Sequence, residues 1–363
     1  MTTKPRLIVA LLITSALLAS AAAATPRPKR TSDSLSAANP IAVSGPSYAE
    51  RQDVMLAADD IATRRDLDRQ WVRKVLAQAH YLPQVAKLIQ APVAGVAKNW
   101  SLYRSRFVEP IRIKAGLKFW QDNRETLSRA EKETGVPAEI IVGIIGVETI
   151  YGQQMGRFRV IDALSTLAFD FPANHPRAAE RRAFFRAEVE QFLSLMHRTG
   201  VSPLQPLGSY AGAMGLPQFM PSSWTRYAID YDGDSRIDLF GSPADAIGSV
   251  ANYLKAFQWR TGMPTHYPAK FDPEKLDLDT LLAGDILPTF SVASMVAKGV
   301  VLEDEALQHD GALALIELQN GAGAPSYVVG TENFYAITRY NWSSYYAMAV
   351  IELGQEIARS MTR

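Results

Sequence analysis

Val136-Pro137-Ala138-Glu139-Ile140-Ile141-Val142-Gly143-Ile144-Ile145-Gly146-Val147-Glu148-Thr149-Ile150-Tyr151-Gly152 reads as a helix. Proline suits a first helical turn, because its φ is already helical and its missing N–H is one that no helix start can pair. Ile140, Ile141, Ile144 and Ile145 recur at helical spacing, and Gly152 is placed to end the run. Glu148 follows Ile141, Ile144 and Ile145 at intervals that put it on the same apolar stripe. A carboxyl group facing low dielectric resists ionisation, stays protonated near neutral pH and acts as a general acid. The alternative, from this stretch alone, is a buried glutamate held by an arginine or a backbone amide.

On either side the texture is also helical. From about Val54 to Ala130 apolar and charged residues alternate at helical spacing, with a break at Pro83. Ala178 to Leu195 is amphipathic, and Ala244 to Phe257 follows the turn Gly241-Ser242-Pro243. Between about Tyr267 and Gly330 a short apolar run, Ala312 to Leu318, precedes the turn signal Asn320-Gly321, and a strand-like pattern resumes at Tyr327 to Val329. A final helix is expected from about Ser343 to Met361, and no fixed-period repeat is visible. The fold class is therefore mainly α (α+β) with a small β-rich subdomain.

The chain has 363 residues, 47% of them hydrophobic and 21% charged, which supplies a core large enough for two or three domains. A net charge of +1 provides no field to hold nucleic acid, so nucleic-acid binding is not expected. With no cysteine, the chain lacks disulfides, thiol nucleophiles, Cys-type zinc sites and lipid attachment through an N-terminal Cys. The five histidines show no metal-ligand spacing, and no phosphate loop or nucleophile elbow is present. Residues 1–24 carry Lys4 and Arg6, then the apolar Leu7 to Leu18, then Ala21 to Ala24, the pattern of a cleaved secretory signal, with an uncleaved anchor as the competing reading. Residues 25–52, rich in Ser, Ala and Pro, read as a flexible linker. Cysteine-free export suits a periplasm, and the absence of a long apolar seam makes a monomer the expectation.

Two further segments carry polar and aromatic groups suited to a sugar chain. Gly208-Ser209-Tyr210-Ala211-Gly212-Ala213-Met214-Gly215-Leu216-Pro217-Gln218-Phe219-Met220-Pro221-Ser222-Ser223-Trp224 is a glycine-rich loop whose backbone approaches a ligand closely, with Ser209, Gln218 and Ser222 as hydrogen-bonding groups. Arg339-Tyr340-Asn341-Trp342-Ser343-Ser344-Tyr345-Tyr346 brings four aromatics and an amide together. For any one of these aromatics, ordinary core packing is the plainer reading.

Taken in order, the Glu-Thr-Ile-Tyr-Gly, Ala-Gly-Ala-Met-Gly-x-Pro-Gln-Phe-Met-Pro-Ser-Ser and Arg-Tyr-Asn-x-Ser-x-Tyr-Tyr segments resemble the lytic murein transglycosylase B family, with similarity from about Asp53 to the C-terminus. The resemblance implies a lysozyme-like α core with an N-terminal helical domain. The expected organisation is a helical domain over 53–130, a catalytic core over 131–266, a β-rich subdomain over 267–330 and a return to the core over 331–363. It implies Glu148 as the catalytic residue and Tyr103, Ser209, Gln218, Tyr253, Tyr340, Asn341 and Tyr346 as substrate-groove residues. The implied reaction cleaves the β-1,4 bond between N-acetylmuramic acid and N-acetylglucosamine of peptidoglycan, with one carboxyl acting first as acid and then as base, and closes a 1,6-anhydro ring. One carboxyl suffices there, where glycoside hydrolases use two. Asp162 and Asp170 are read as structural. A muramidase-type hydrolase and a non-catalytic peptidoglycan-binding protein are the rival readings. Peptidoglycan strands are the expected partner, with cell-wall synthesis or hydrolysis proteins as further candidates.

Asp230-Tyr231-Asp232-Gly233-Asp234-Ser235-Arg236-Ile237-Asp238 has carboxylates at loop positions 1, 3, 5 and 9, the EF-hand order for hard oxygen ligands. Ser235 replaces the glycine of position 6, and Gly241 stands at position 12 in place of Glu. The family resembled has a later last carboxylate, which Asp245 is placed to supply. The expected ligand set is Asp230, Asp232, Asp234, Arg236, Asp238 and Asp245, for a structural Ca2+ that takes no part in catalysis, with a metal-free acidic turn as the alternative.

Overall fold

The computed structural model describes residues 40–41, 45–90 and 98–361. The signal reading of 1–24 and most of the linker reading lie outside these residues. The end of the linker span does not behave as a tether: Tyr48 is 1% exposed and its hydroxyl donates to Asp170 (2.7 Å), ahead of the Gln52–Arg65 helix. That hydroxyl and the neighbouring Arg51 give Asp170 the partners a half-buried carboxylate needs.

The centre is a helix pair. Ala138–Thr149 packs along Ser344–Met361, with Pro110–Asp122 against both. The pair is close because each helix offers the other a glycine. A Cβ at Gly143 would stand 2.3 Å from the Val350 carbonyl oxygen, and one at Gly354 would stand 2.1 Å from that of Glu139. The Ser344–Met361 helix thus lies at the middle of the core.

Around this pair the chain lays further helices. Gln52–Arg65, Arg69–Ala77 and Pro83–Leu88 form the N-terminal layer, and Pro83 starts its helix at the break seen in the sequence. Trp100–Arg104 and Arg124–Thr134 complete the helical region. Val160–Phe169 packs on the long Ala178–Thr199 helix. Every residue of Val160–Phe169 is buried, so it carries no amphipathic period by which to be read. Pro243–Ala256 packs on Arg124–Thr134 and on the central helix.

A β-rich part of the chain holds a three-stranded antiparallel sheet, His266–Pro268, Gly323–Gly330 and Ala314–Asn320, with Gly323–Gly330 in the middle. A two-stranded pair, Lys270–Phe271 with Val300–Val301, and the short helices Leu278–Leu282 and Val292–Ala297 complete it around a separate small core of Tyr267, Leu281, Met295, Leu313, Leu315 and Val329. The Asn320–Gly321 turn reaches back to the helical region, where Gly321 N donates to Lys98 O (2.9 Å) and Tyr345 Oη donates to Gln319 O (3.1 Å). The fold is a mainly helical, lysozyme-like one. Among the described residues no helix is long and apolar enough to cross a membrane.

Candidate active site

Glu148 stands in the last turn of the Ala138–Thr149 helix. The chain leaves that helix through two consecutive left-handed residues, Ile150 (φ 48°) and Tyr151 (φ 54°). Neither is a glycine, and such a conformation costs on the order of 1–3 kcal/mol at each residue. Packing holds it: Ile150 is buried, and the Tyr151 ring lies 5.0 Å from that of Phe119. Thr149 Oγ1 donates to the Leu216 carbonyl (2.9 Å), which fastens the helix end to the glycine-rich loop. The buried Arg112 donates through Nε to the Gly146 carbonyl (2.8 Å), a cation at the negative end of the helix that carries Glu148.

The helix end opens into a cavity of about 410 Å³. Tyr103, Glu148, Ser209, Gln218, Tyr340, Asn341 and Tyr346 line it, so all but one of the groove residues named from the sequence share one wall system. The exception is Tyr253. It lies one layer behind, buried, with its ring 4.8 Å from Tyr340 and its hydroxyl donating to the Arg339 carbonyl, so it positions Tyr340. Tyr340 in turn stacks on Tyr346 at 6.3 Å and an interplanar angle of 12°.

Each segment reaches the cavity for a local reason. In the glycine-rich loop Ser209 Oγ accepts from Ala213 N (3.0 Å) and Ala211 N (3.3 Å), which folds the loop back on itself and leaves the hydroxyl proton as a donor. Gln218 is left-handed (φ 50°), and its Nε2 donates to the carbonyls of Gly215 (2.9 Å) and Met155 (3.2 Å), which bridges both strips of the wall. Ser222 turns away: its Oγ and N reach the buried Glu188 carboxylate at 2.6 and 2.9 Å, a cap for the Pro221–Tyr227 helix. Tyr103 is carried by Trp100–Arg104, with its ring 5.7 Å from Tyr345 and 4.9 Å from Phe107. Sequence reasoning missed Phe107 and Tyr210 in the lining; the position of Tyr210 beside Ser209 was the one signal for it.

Burial of Glu148 among aromatic and apolar groups pushes its pKa up to about 7, and the Tyr346 hydroxyl, which donates to Oε1 at 2.7 Å, opposes that shift. Burial also holds Tyr103, Tyr340 and Tyr346 far above the usual phenol range, so they are neutral donors. Among the described residues lining the cavity, Glu148 is the one carboxylate. Asp162 is bound to Arg159 (2.6 Å) and to His80 N (2.9 Å), and Asp170 to Tyr48 and Arg51, so both serve the fold. Because the Tyr346 bond favours the ionised form, Tyr346→Phe is expected to raise the Glu148 pKa by about one unit. The alkaline limb of the pH–rate profile should move up accordingly; a limb that moves down contradicts this role for Tyr346.

In the acidic loop, carboxylate oxygens of Asp230, Asp232 and Asp245 all lie within 4.8 Å of one another. Oxygens around one Ca2+ at about 2.4 Å are separated by no more than about 5 Å, so this trio fits that ion. Ser235 takes the left-handed conformation (φ 70°) that position 6 of an EF-hand reserves for glycine. Asp234, Arg236 and Asp238 fall outside the trio. The Asp234 carboxylate accepts from Arg236 N (2.8 Å), and that of Asp238 from Phe240 N and Gly241 N (both 2.9 Å). Asp245, in the first turn of Pro243–Ala256, is buried and accepts from Tyr231 N and Asp238 N (both 2.7 Å).

Residues 50–355 match the Transglycosylase SLT domain family. The membrane-bound lytic murein transglycosylase B of Escherichia coli (strain K12) is 40% identical over 322 residues, 86% of this chain and 85% of the relative. The solved structure of the E. coli lytic transglycosylase Slt35 in complex with calcium is 38% identical, with a TM-score of 0.76, covering 88% of this chain and 97% of that one. SltB3 of Pseudomonas aeruginosa, solved in complex with NAG-anhNAM-pentapeptide, is 28% identical with a TM-score of 0.69, covering 86% of this chain and 80% of that one. Family match, sequence relative and structural neighbours agree with one another: the chain belongs to the Transglycosylase SLT domain family and is a peptidoglycan lytic transglycosylase.

Proposed function

We propose that Glu148 alone carries the acid and base steps of peptidoglycan strand cleavage. With its pKa pushed up to about 7, Glu148 is about half protonated at neutral pH, and the protonated form gives its proton to the oxygen linking N-acetylmuramic acid to N-acetylglucosamine as the bond from that oxygen to the muramyl C1 breaks. The carboxylate so formed takes the proton of the muramyl C6 hydroxyl while that oxygen bonds to C1, which closes the 1,6-anhydro ring and restores the acid. Protons balance and no water is consumed. The observation that supports this reading is the lone carboxyl in the described lining, pushed up to about 7. Tyr103, Ser209, Gln218, Tyr340, Asn341 and Tyr346 then hold the sugars, with Tyr253 behind Tyr340. Mass spectrometry of fragments released from purified peptidoglycan tests it. Muramyl ends that lack one water are the expected product; reducing ends would mean a hydrolase, and no release would mean a binding protein.

The acidic loop would hold a structural Ca2+ through Asp230, Asp232 and Asp245. Binding only to the folded state raises stability by about 2.7 kcal/mol at a hundredfold excess over Kd. Calcium is therefore expected to raise the melting temperature by several degrees, and Asp245→Asn to abolish the rise while chelated protein keeps its fold. A wild-type melting temperature indifferent to calcium and chelator contradicts the site. The sequence of residues 1–24 supports export to the periplasm through a cleaved signal.

A further inference from the structure

A second crevice, of about 130 Å³, lies between the sheet subdomain and the start of the Ser344–Met361 helix. It is bounded by Lys98, Asp285, Glu317, Gln319, Ser344 and Tyr345. One aromatic pair separates it from the active-site cavity: Tyr103 lines the cavity, Tyr345 lines the crevice, and their rings meet edge to face at 5.7 Å. Tyr345 and Tyr346 are adjacent in the chain, yet Tyr346 points to Glu148 and Tyr345 into the crevice, so the two sites flank one helical turn.

The charges are mixed. The Lys98 ammonium lies 5.9 Å over the Tyr345 ring. Glu317 accepts from Tyr327 Oη and Gln319 Nε2 (both 3.0 Å), which fixes its carboxylate at the rim. None of Lys98, Asp285 and Glu317 forms an ion pair among the described residues, although all three border one small space. Two carboxylates and one ammonium around an aromatic face match a ligand that carries both an ammonium and a carboxylate, with each pairing charge-assisted.

Muramyl residues carry a peptide on their lactyl group, and SltB3 has been solved with a pentapeptide-bearing fragment. Three extended residues span about 10 Å, roughly the diameter of one helix, so a peptide leaving a sugar in the cavity reaches across the intervening turn. We propose that this crevice is a subsite for the zwitterionic side-chain end of a diamino acid in the stem peptide, with Asp285 and Glu317 taking the ammonium and Lys98 the carboxylate. The proposal rests on the reading of the neighbouring cavity as the glycan site.

The test titrates the full chain with N-acetylglucosaminyl-N-acetylmuramyl tripeptide ending in diaminopimelate, and with the same ligand acetylated on its side-chain amine. Wild type should prefer the free amine by about tenfold, and the double variant Asp285→Asn, Glu317→Gln should bind both alike. Lys98→Met should weaken both about equally. Equal binding of the two ligands by wild type, a preference that survives in the double variant, or binding of neither ligand would each overturn the subsite. Glycan cleavage is scored in parallel on stem-bearing strands and on strands stripped of peptide. A chain that cleaves both without the amine preference loses the subsite and keeps the glycan reading; one that shows the preference without cleavage loses the catalytic reading alone.

Discussion

Glu148→Gln is expected to lower peptidoglycan cleavage by about 10³-fold or more while leaving the protein folded and able to bind glycan. Glutamine keeps the volume and the Tyr346 contact but has no proton to give and none to take back. The same variant carries a stability signature of opposite sign. With its pKa raised from 4.5 to about 7, folded Glu148 holds a proton that the unfolded chain has released. Wild-type stability therefore falls as pH rises from about 4.5 through 7 by on the order of 2 kcal/mol, allowing for partial solvent access. Glu148→Gln should melt higher than wild type at pH 8 and no differently at pH 4. Retained cleavage, or a variant less stable at pH 8, contradicts the assignment.

Gly143→Leu is expected to cost about 3 kcal/mol or more and lower the melting temperature by about 5 °C, with activity falling alongside. The first carbon of any side chain there meets the Val350 carbonyl at 2.3 Å, and that oxygen belongs to helix backbone, which cannot rotate aside. The two central helices would have to separate, and Glu148 rides on one of them while Tyr346 rides on the other. Thermal unfolding with and without the substitution checks the cost. A shift within a degree would mean that the helices tolerate separation and that their spacing does not hold the site together.

These consequences follow from packing that the linear pattern shows only in part. The Glu148 helix was legible because isoleucines at helical spacing leave one face on which a carboxyl is out of place. The purpose of Gly143 within it depends on a partner helix some 200 residues later, which no local pattern announces. Val160–Phe169 was silent for the opposite reason, since total burial erases the contrast between faces. In the site, several lining residues were recoverable from short segments, though Phe107 and Tyr210 were not, and depth was illegible: Tyr253 stands behind Tyr340, and Ser222 turns to Glu188. The acidic loop shows the same limit. Alternation suggested Asp230, Asp232, Asp234 and Asp238, and the resemblance added Asp245; backbone amides bond to all five, and what sets Asp230, Asp232 and Asp245 apart is that their oxygens converge in space, which spacing alone does not show.

The central claim is that one carboxyl both opens the glycosidic bond and activates the internal nucleophile. Digestion of purified peptidoglycan in water enriched in heavy oxygen tests it most directly, read by mass spectrometry of the muramyl ends. Ring closure through the sugar's own C6 hydroxyl predicts ends that lack one water and carry no label. Labelled reducing ends at the cleaved bond would show that water attacks C1 and that Glu148 serves a hydrolase.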